Sequence, residues 1–391
     1  MKYLYLNITL LLLLSCNSIN DDLYVINPDK FEDNEIKLSE IADDISYIPL
    51  DNKIPIGTIF RYTIVKDKIF LSVKDVGIVQ YDLTGKLIRK IGNLGRGPGE
   101  YSQGMYFIVD ENSGNVYVSE YGKTKVYSPS GIFQRDIIYE QDMPDVTEPK
   151  LFNSFMFCPD YIENGDSKFN WMFIDTLGNM VSRKKNSIPL FQADWVATGG
   201  SYIFGGKLFY YNAFNDTIFS ISPDFSSKGA YLFGKGDYRR PREKFGITSI
   251  SKLQSRFYTI FNLQLMFEAS HYIFLQYTYL DKNTFAVIDK KTKKTYLSYK
   301  SEEIPGSLVK SRPCIPNDLD CGLSLYSLNY VENKEEYFIS LIEPFDIRSH
   351  ILTDEFKKSV PVSPQKKGDF EKLANSLKET DNPVLVLVKL Q

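Results

Sequence analysis

The sequence predicts an all-β fold, a six-bladed β-propeller closed by pairing a strand near the N-terminus with the last blade, with a helical insertion in that blade. Three observations lead there. A phrase of strand, polar turn and strand recurs at nearly constant spacing; tyrosine and phenylalanine number 27 each, residues suited to half-buried pleated strands; and each end of the domain carries a strand with no sequence neighbour to pair with.

The phrase is clearest at Val79-Gln80-Tyr81-Asp82-Leu83-Thr84-Gly85-Lys86-Leu87-Ile88 and at Lys125-Val126-Tyr127-Ser128-Pro129-Ser130-Gly131-Ile132-Phe133. Shorter copies follow at Phe173 to Gly178, Ser220 to Asp224 and Val287 to Thr292. Anchored on Tyr81, Tyr127, Ile174, Ile221 and Ile288, the copies are 46, 47, 47 and 67 residues apart. A period of roughly 40 to 50 residues holding several short strands marks propeller blades. Blade one runs from Ile59 to Ile91, and blade two has strands near Tyr106 to Asp110, Asn115 to Ser119, Thr124 to Tyr127 and Ile132 to Ile138. Blade three covers about 151 to 185 with an obscure second strand, blade four about 201 to 234, and blade five about 258 to 300. The charged stretch Gly236 to Gln254 fills the longer spacing with room for a short helix.

The sixth blade draws on both ends of the chain. Leu323 to Tyr330 and Glu336 to Ile342 supply its first two strands, and Val384-Leu385-Val386-Leu387-Val388 a buried third. Between them Phe370, Leu373, Ala374 and Leu377 have the spacing of a helix with one apolar face. Ile45-Ser46-Tyr47-Ile48-Pro49-Leu50 then serves as the fourth strand, which closes the ring and leaves only short edges. A seven-bladed ring with degenerate repeats is the competing arrangement.

Before the domain, Met1-Lys2 precedes an apolar run to Leu14 that is too short to span a bilayer, which takes about 20 residues. Leu13-Leu14-Ser15-Cys16 resembles the lipobox of bacterial lipoproteins, with Leu14 a less usual occupant. The expected division is a signal peptide over 1–15, a tether lipidated at Cys16 over 16–40, and a propeller over 41–391. The resemblance implies a cell-envelope protein joined to the outer membrane by its lipid. Asp21-Asp22 is similar to the surface-export signal of Bacteroidetes lipoproteins, and leaves periplasmic and surface orientations open.

A net charge of −3 without a basic block argues against nucleic acid as a partner. Two histidines, His271 and His350, are too few for a zinc site or a catalytic triad of the usual kind. Cys314 and Cys321 bracket a six-residue loop suited to a disulfide in an oxidising compartment, while Cys158 sits in the apolar stretch Phe155-Met156-Phe157-Cys158. A monomer is expected.

Ile91-Gly92-Asn93-Leu94-Gly95-Arg96-Gly97-Pro98-Gly99-Glu100-Tyr101, followed by Val109-Asp110 and Asn115-Val116-Tyr117-Val118, is similar to the phrase of NHL-repeat propellers. Together with Ile45 to Leu50, Phe214-Asn215-Asp216-Thr217-Ile218-Phe219 and Asp381-Asn382-Pro383-Val384-Leu385-Val386, it resembles the six-bladed propeller lipoproteins of Bacteroides and relatives over almost the whole mature chain. Those motifs carry fold and family and say nothing of chemistry.

Ligands of propellers usually meet the face bearing the loops between blades and between second and third strands. On it the sequence offers Arg96, Glu100, Tyr101, Glu120, Tyr121, Asn212, Phe214, Asn215, Asp216, Glu343 and Asp346. Each also has a structural reading: Gly95, Gly97 and Gly99 as positive-φ turn residues, Asn215-Asp216 as a self-bonded turn, Arg96 and Glu100 as a pair, and the aromatics as core. The first function expected is a binding module for a glycan, peptide or protein partner. The alternative is a calcium-dependent hydrolase of lactonase type, for which Glu120, Asn212, Asn215 and Glu343 would have to converge on the axis. No cofactor is expected otherwise.

Overall fold

A computed structural model of the chain describes residues 23–32, 34–139, 148–161, 167–189, 199–233, 262–279, 282–298, 301–303, 311–326, 329–333 and 335–391. It contains six four-stranded antiparallel blades. From the innermost strand outward, blade one is Ile59–Val65, Lys68–Val73, Gly77–Asp82 and Leu87–Ile91. Blade two is Phe107–Val109, Val116–Glu120, Lys123–Tyr127 and Phe133–Ile138. Blade three is Lys150–Phe152, Phe155–Pro159, Phe169–Ile174 and Met180–Lys185, so its obscure second strand is the one that carries Cys158. Blade four is Gly199–Phe204, Lys207–Asn212, Thr217–Ile221 and Ser227–Phe233; blade five is Asn262–Glu268, Tyr272–Tyr279, Lys282–Asp289 and Thr295–Ser298. Blade six is Asn329–Asn333, Glu335–Ile342, Val384–Leu390 and Ala42–Pro49.

The five anchors of the repeat all fall at the end of a third strand or next to it, and the polar turn after each leads into the fourth. The turn needs one left-handed residue: Gly85 (φ 80°), Gly131 (83°) and Gly178 (97°), with Phe225 (65°) and Lys293 (64°) in the later blades. Gly85 is constrained further, because a Cβ there would lie 1.9 Å from the Pro49 carbonyl of the preceding blade. The turn is thus an interblade contact as well as a bend, a reason for the phrase to repeat.

Ring closure follows the predicted pairing, with register from Ala42↔Leu390 to Pro49↔Val384. Val384, Leu385 and Val386 are fully buried, and alternate side chains of this strand pack toward blades five and one. Burying each such side chain contributes about 1.5–3 kcal/mol. The innermost strand of blade six is Asn329–Asn333, later than the expected Leu323 to Tyr330; Leu325 instead bridges Ile315 in the loop that precedes it. Five apolar clusters fill the wedges between blades among the described residues, the largest spanning blades four to six.

Two segments depart from expectation. Within the expected tether over 16–40, Tyr24–Ile26 forms a fifth strand on blade four, parallel to its outermost strand through Tyr24↔Tyr231, Val25↔Leu232 and Ile26↔Phe233. The chain then crosses to blade five, where the Ile36 N–H donates to the Leu297 carbonyl and the Leu297 N–H to that of Asn34, before entering blade six. Buried Ile26, Ile36, Leu38 and Ile41 explain why this strap stays down. The insertion of blade six holds three helices, Pro344–Leu352, Asp354–Lys358 and Pro364–Ser376, where the sequence showed one over Gly368 to Lys378. The first two are short and irregular in apolar spacing, which hides them; Phe356 and Phe370 pack together beneath Tyr47 and His350. The charged insertion at 236–254 lies outside the described residues.

Cys158, Cys314 and Cys321 are thiols in the structure, so the expected Cys314–Cys321 bridge is not formed. Their loop is organised by buried Asp320, which accepts from Tyr47 (2.8 Å), Asn317 (2.6 Å) and the Gly322 N–H (2.8 Å). Cys321 takes φ 60° and its carbonyl accepts from His350 Nε2 at 2.9 Å. Burial pushes the Cys158 thiol far up, which makes it inert.

Candidate functional site

The glycine-rich loop between blades one and two is built around two side chains. Glu100 folds back to accept the Gly97 N–H at 2.8 Å, and a Cβ at Gly95 would collide with that carboxylate at 1.9 Å. Of Gly95, Gly97 and Gly99, only Gly99 has positive φ (76°); Gly95 is required by the carboxylate above it, and Glu100 pairs with backbone instead of Arg96. Tyr101 is 0% exposed. Its hydroxyl donates to the Ile91 carbonyl (2.7 Å) and accepts from the Ile78 N–H (2.8 Å), and burial raises it to about 12. It is a strut, unavailable to a ligand. Glu120 accepts from the Ser102 N–H (2.9 Å) and hydroxyl (3.0 Å), tying the loop to blade two.

In blade four Asn212 accepts the Phe214 N–H (2.9 Å), Asn215 accepts that of Thr217 (3.0 Å), and Phe214 and Asp216 are buried. These make a self-bonded turn over an aromatic plug. Glu343 opens the first insertion helix, and partial desolvation, with Asp346 nearby, raises its carboxyl; desolvation raises Asp346 too. Of the candidates, Arg96, Tyr121 and Glu343 face solvent, Tyr121 at 88% exposure. Glu120, Asn212, Asn215 and Glu343, the proposed calcium ligands, belong to blades two, four and six, and the first three serve their own loops. Among the described residues no three His, Cys, Asp or Glu side chains are grouped to hold a metal.

The structure brings together a different set. The innermost strands of neighbouring blades approach one another around the central channel, those of blades one and six and of blades two and three among them. Arg61, on the innermost strand of blade one, reaches past blade two to blade three: its guanidinium lies 5.4 Å from the Tyr106 ring centroid and 3.0 Å from the Glu148 carboxylate. Lys150, at the start of the innermost strand of blade three, stands beside both charges. Burial, then the Arg61 charge, lower its amine to about 8 against the opposing pull of Glu148. Glu148 also faces Tyr161, whose hydroxyl is 3.2 Å from that of Ser201 on blade four. Among the described residues this is a cluster of two cations and one carboxylate at the loop-bearing end of the channel. Nothing in the sequence marks these residues: Arg61 and Lys150 occupy ordinary polar positions of alternating strands, and only ring closure makes them neighbours.

Among the described residues no helix is long and apolar enough to cross a membrane. Of solved structures, a Bacteroides fragilis protein assigned as exported is similar at 16% identity and TM-score 0.65, covering 94% of this chain and 99% of that one. A member of the DUF4221 family from Bacteroides vulgatus is similar at 12% identity and TM-score 0.49, covering 92% and 99%. Virginiamycin B lyase from Staphylococcus aureus is similar at 11% identity and TM-score 0.40, covering 75% and 81%. At these identities the likeness is one of fold. No curated relative matches the chain. The match that spans the strap, all six blades and the closing strand is to a family described as a domain of unknown function, over residues 23–389, and the chain belongs to that family, DUF4934.

Proposed function

We propose that the chain is a cell-envelope lipoprotein, held at the outer membrane through an acylated Cys16, whose propeller captures a glycan or peptide on its loop-bearing face. The observation that carries the reading is the axial cluster of Arg61, Glu148 and Lys150. Its two cations suit an anionic group of the ligand, a uronic carboxylate or a peptide carboxylate, with Arg61 as the geometric partner and Lys150 as a point charge. Tyr121, exposed on the same face, is a platform for a sugar ring.

The test is a glycan and peptide array probed with the parent protein and with Arg61→Gln/Lys150→Met. A charge-assisted hydrogen bond contributes about 2 kcal/mol, so the double variant is expected to lose anionic ligands by roughly 30-fold or more while neutral ones are unaffected. Binding of the anionic ligand by the parent weakens as pH rises through about 8, where Lys150 gives up its proton; Lys150→Met removes that pH dependence. Equal binding by parent and variant overturns the axial site, and stoichiometric calcium in the purified protein points to the hydrolase instead. The anchor is tested separately: mass spectrometry of membrane-extracted protein should show acylation at Cys16, and Cys16→Ser should release the protein from the membrane fraction.

A further inference from the structure

We propose that the lower junction of blades four and five is an electrostatic docking surface for an anionic phospholipid bilayer, so that the propeller lies against its membrane on that side and presents the opposite loops outward. The inference rests on the anchored reading for its context, but its evidence is separate. The turn between the third and fourth strands of blade five reads Lys290-Lys291-Thr292-Lys293-Lys294, the densest run of like charge in the described chain. Lys291, Lys293 and Lys294 are exposed. Across the junction, exposed Lys207 and Lys228 of blade four line the same cleft of about 420 Å³ as Lys290 and Lys293.

The cleft holds the point where the described chain begins. Leu23 and Tyr24 form part of its wall, and the Lys293 ammonium sits 4.6 Å from the centroid of the Tyr24 ring. Seven residue steps separate Leu23 from Cys16, a reach of at most about 25 Å for an extended chain. An acyl group on Cys16 would keep the bilayer within that reach of this cleft.

The neighbouring acids offset part of this charge. Glu268 is buried and paired with Lys290 at 2.7 Å. Asp289 accepts the N–H groups of Lys291 (2.7 Å) and Thr292 (2.8 Å), and Asp224 those of Ser226 and its hydroxyl. Lys207, Lys291, Lys293 and Lys294 are exposed around the cleft that holds Leu23. Among the described residues the turns at this end of blades two and three carry Asp110, Glu111 and Asp175, and those of blade one mix Lys66, Lys68 and Lys86 with Asp67 and Asp82, so the lysine run of blade five is the densest positive charge at this end.

A protein beginning at Asn17, which retains every described residue and carries no lipid, isolates the surface from the anchor. It is mixed with phosphatidylcholine vesicles lacking or containing roughly one-third phosphatidylglycerol, and binding is read by co-sedimentation; a lysine near such a surface contributes about fivefold in affinity. The parent is expected to bind the anionic vesicles only, with binding lost as salt is raised. Lys291→Gln/Lys293→Gln/Lys294→Gln should weaken it by more than tenfold, and Lys358→Gln/Lys372→Gln on the insertion helices should leave it unchanged. Asp21→Asn/Asp22→Asn should tighten it. Equal binding to both vesicle types, no binding to either, or retention by the triple variant overturns the docking surface. None of these outcomes bears on acylation at Cys16, which is read by mass.

Discussion

Blades one and two are joined differently from blades four, five and six. In the first pair the connection is a side chain: Tyr101 reaches from the interblade loop to two strands of blade one, while Tyr127 of blade two donates to the Gly99 carbonyl at 2.8 Å. The two rings meet edge to face with centroids 5.7 Å apart. In the second group the connection is main chain, one segment passing from the edge of blade four over blade five into blade six. The Tyr101 hydroxyl concentrates several polar links at one point, beside the main-chain bond from the Gly92 N–H to the Gly131 carbonyl (3.0 Å) and the apolar core the two blades share, whereas a laced backbone spreads its load along one continuous segment.

Three substitutions break or sharpen that contrast. The largest effect is expected at the closing strand: Ile45→Asp places a charge in its buried face, and should cost about 3–5 kcal/mol and lower the midpoint of denaturant unfolding for the whole ring. A midpoint like the parent's would mean that closure is not what holds the ring. Next is Tyr101→Phe, which leaves the Ile78 N–H and Ile91 carbonyl buried without their partner and should cost about 2–3 kcal/mol, seen in thermal melting. Smallest is Tyr24→Ala, which removes a ring packed edge to face on Tyr231 and beneath Lys293, worth roughly 1 kcal/mol. Its signature is local: amide exchange of Tyr231 to Phe233 should accelerate while that of Ile78 and Ile91 stays at the parent rate. Uniform acceleration would show that the strap is part of the same cooperative unit as the pin.

The ring was readable in the sequence because its logic is local and repeated. Each blade needs alternation, a polar turn and one left-handed residue, and these sit within a few positions of one another, as at Tyr81 to Gly85. Closure was readable because Ile45 to Leu50 and Val384 to Val388 are too apolar to stand alone. The strap was missed because Tyr24, Ile26, Ile36 and Leu38 are scattered among polar residues without strand periodicity, their burial set by surfaces of three blades far along the chain. The candidate site residues that the sequence offers are tied to the fold in the same way. Glu100, Tyr101, Asn212 and Phe214 belong to conspicuous motifs, and motifs that repeat with the fold serve the fold. Arg61, Glu148 and Lys150 belong to no motif, and their meeting depends on the ring itself.

The strap gives the molecule a mechanical grain. A pull on the segment before Leu23 directed along Tyr24–Ile26 loads the pairs with Tyr231, Leu232 and Phe233 together, in shear, instead of peeling them apart one after another. Should they yield, the tension passes to the contacts of Asn34 and Ile36 with Leu297, and only then to the eight-residue strand that closes the ring. Two sacrificial fastenings therefore stand between any load on the N-terminal segment and the strand that closes the ring.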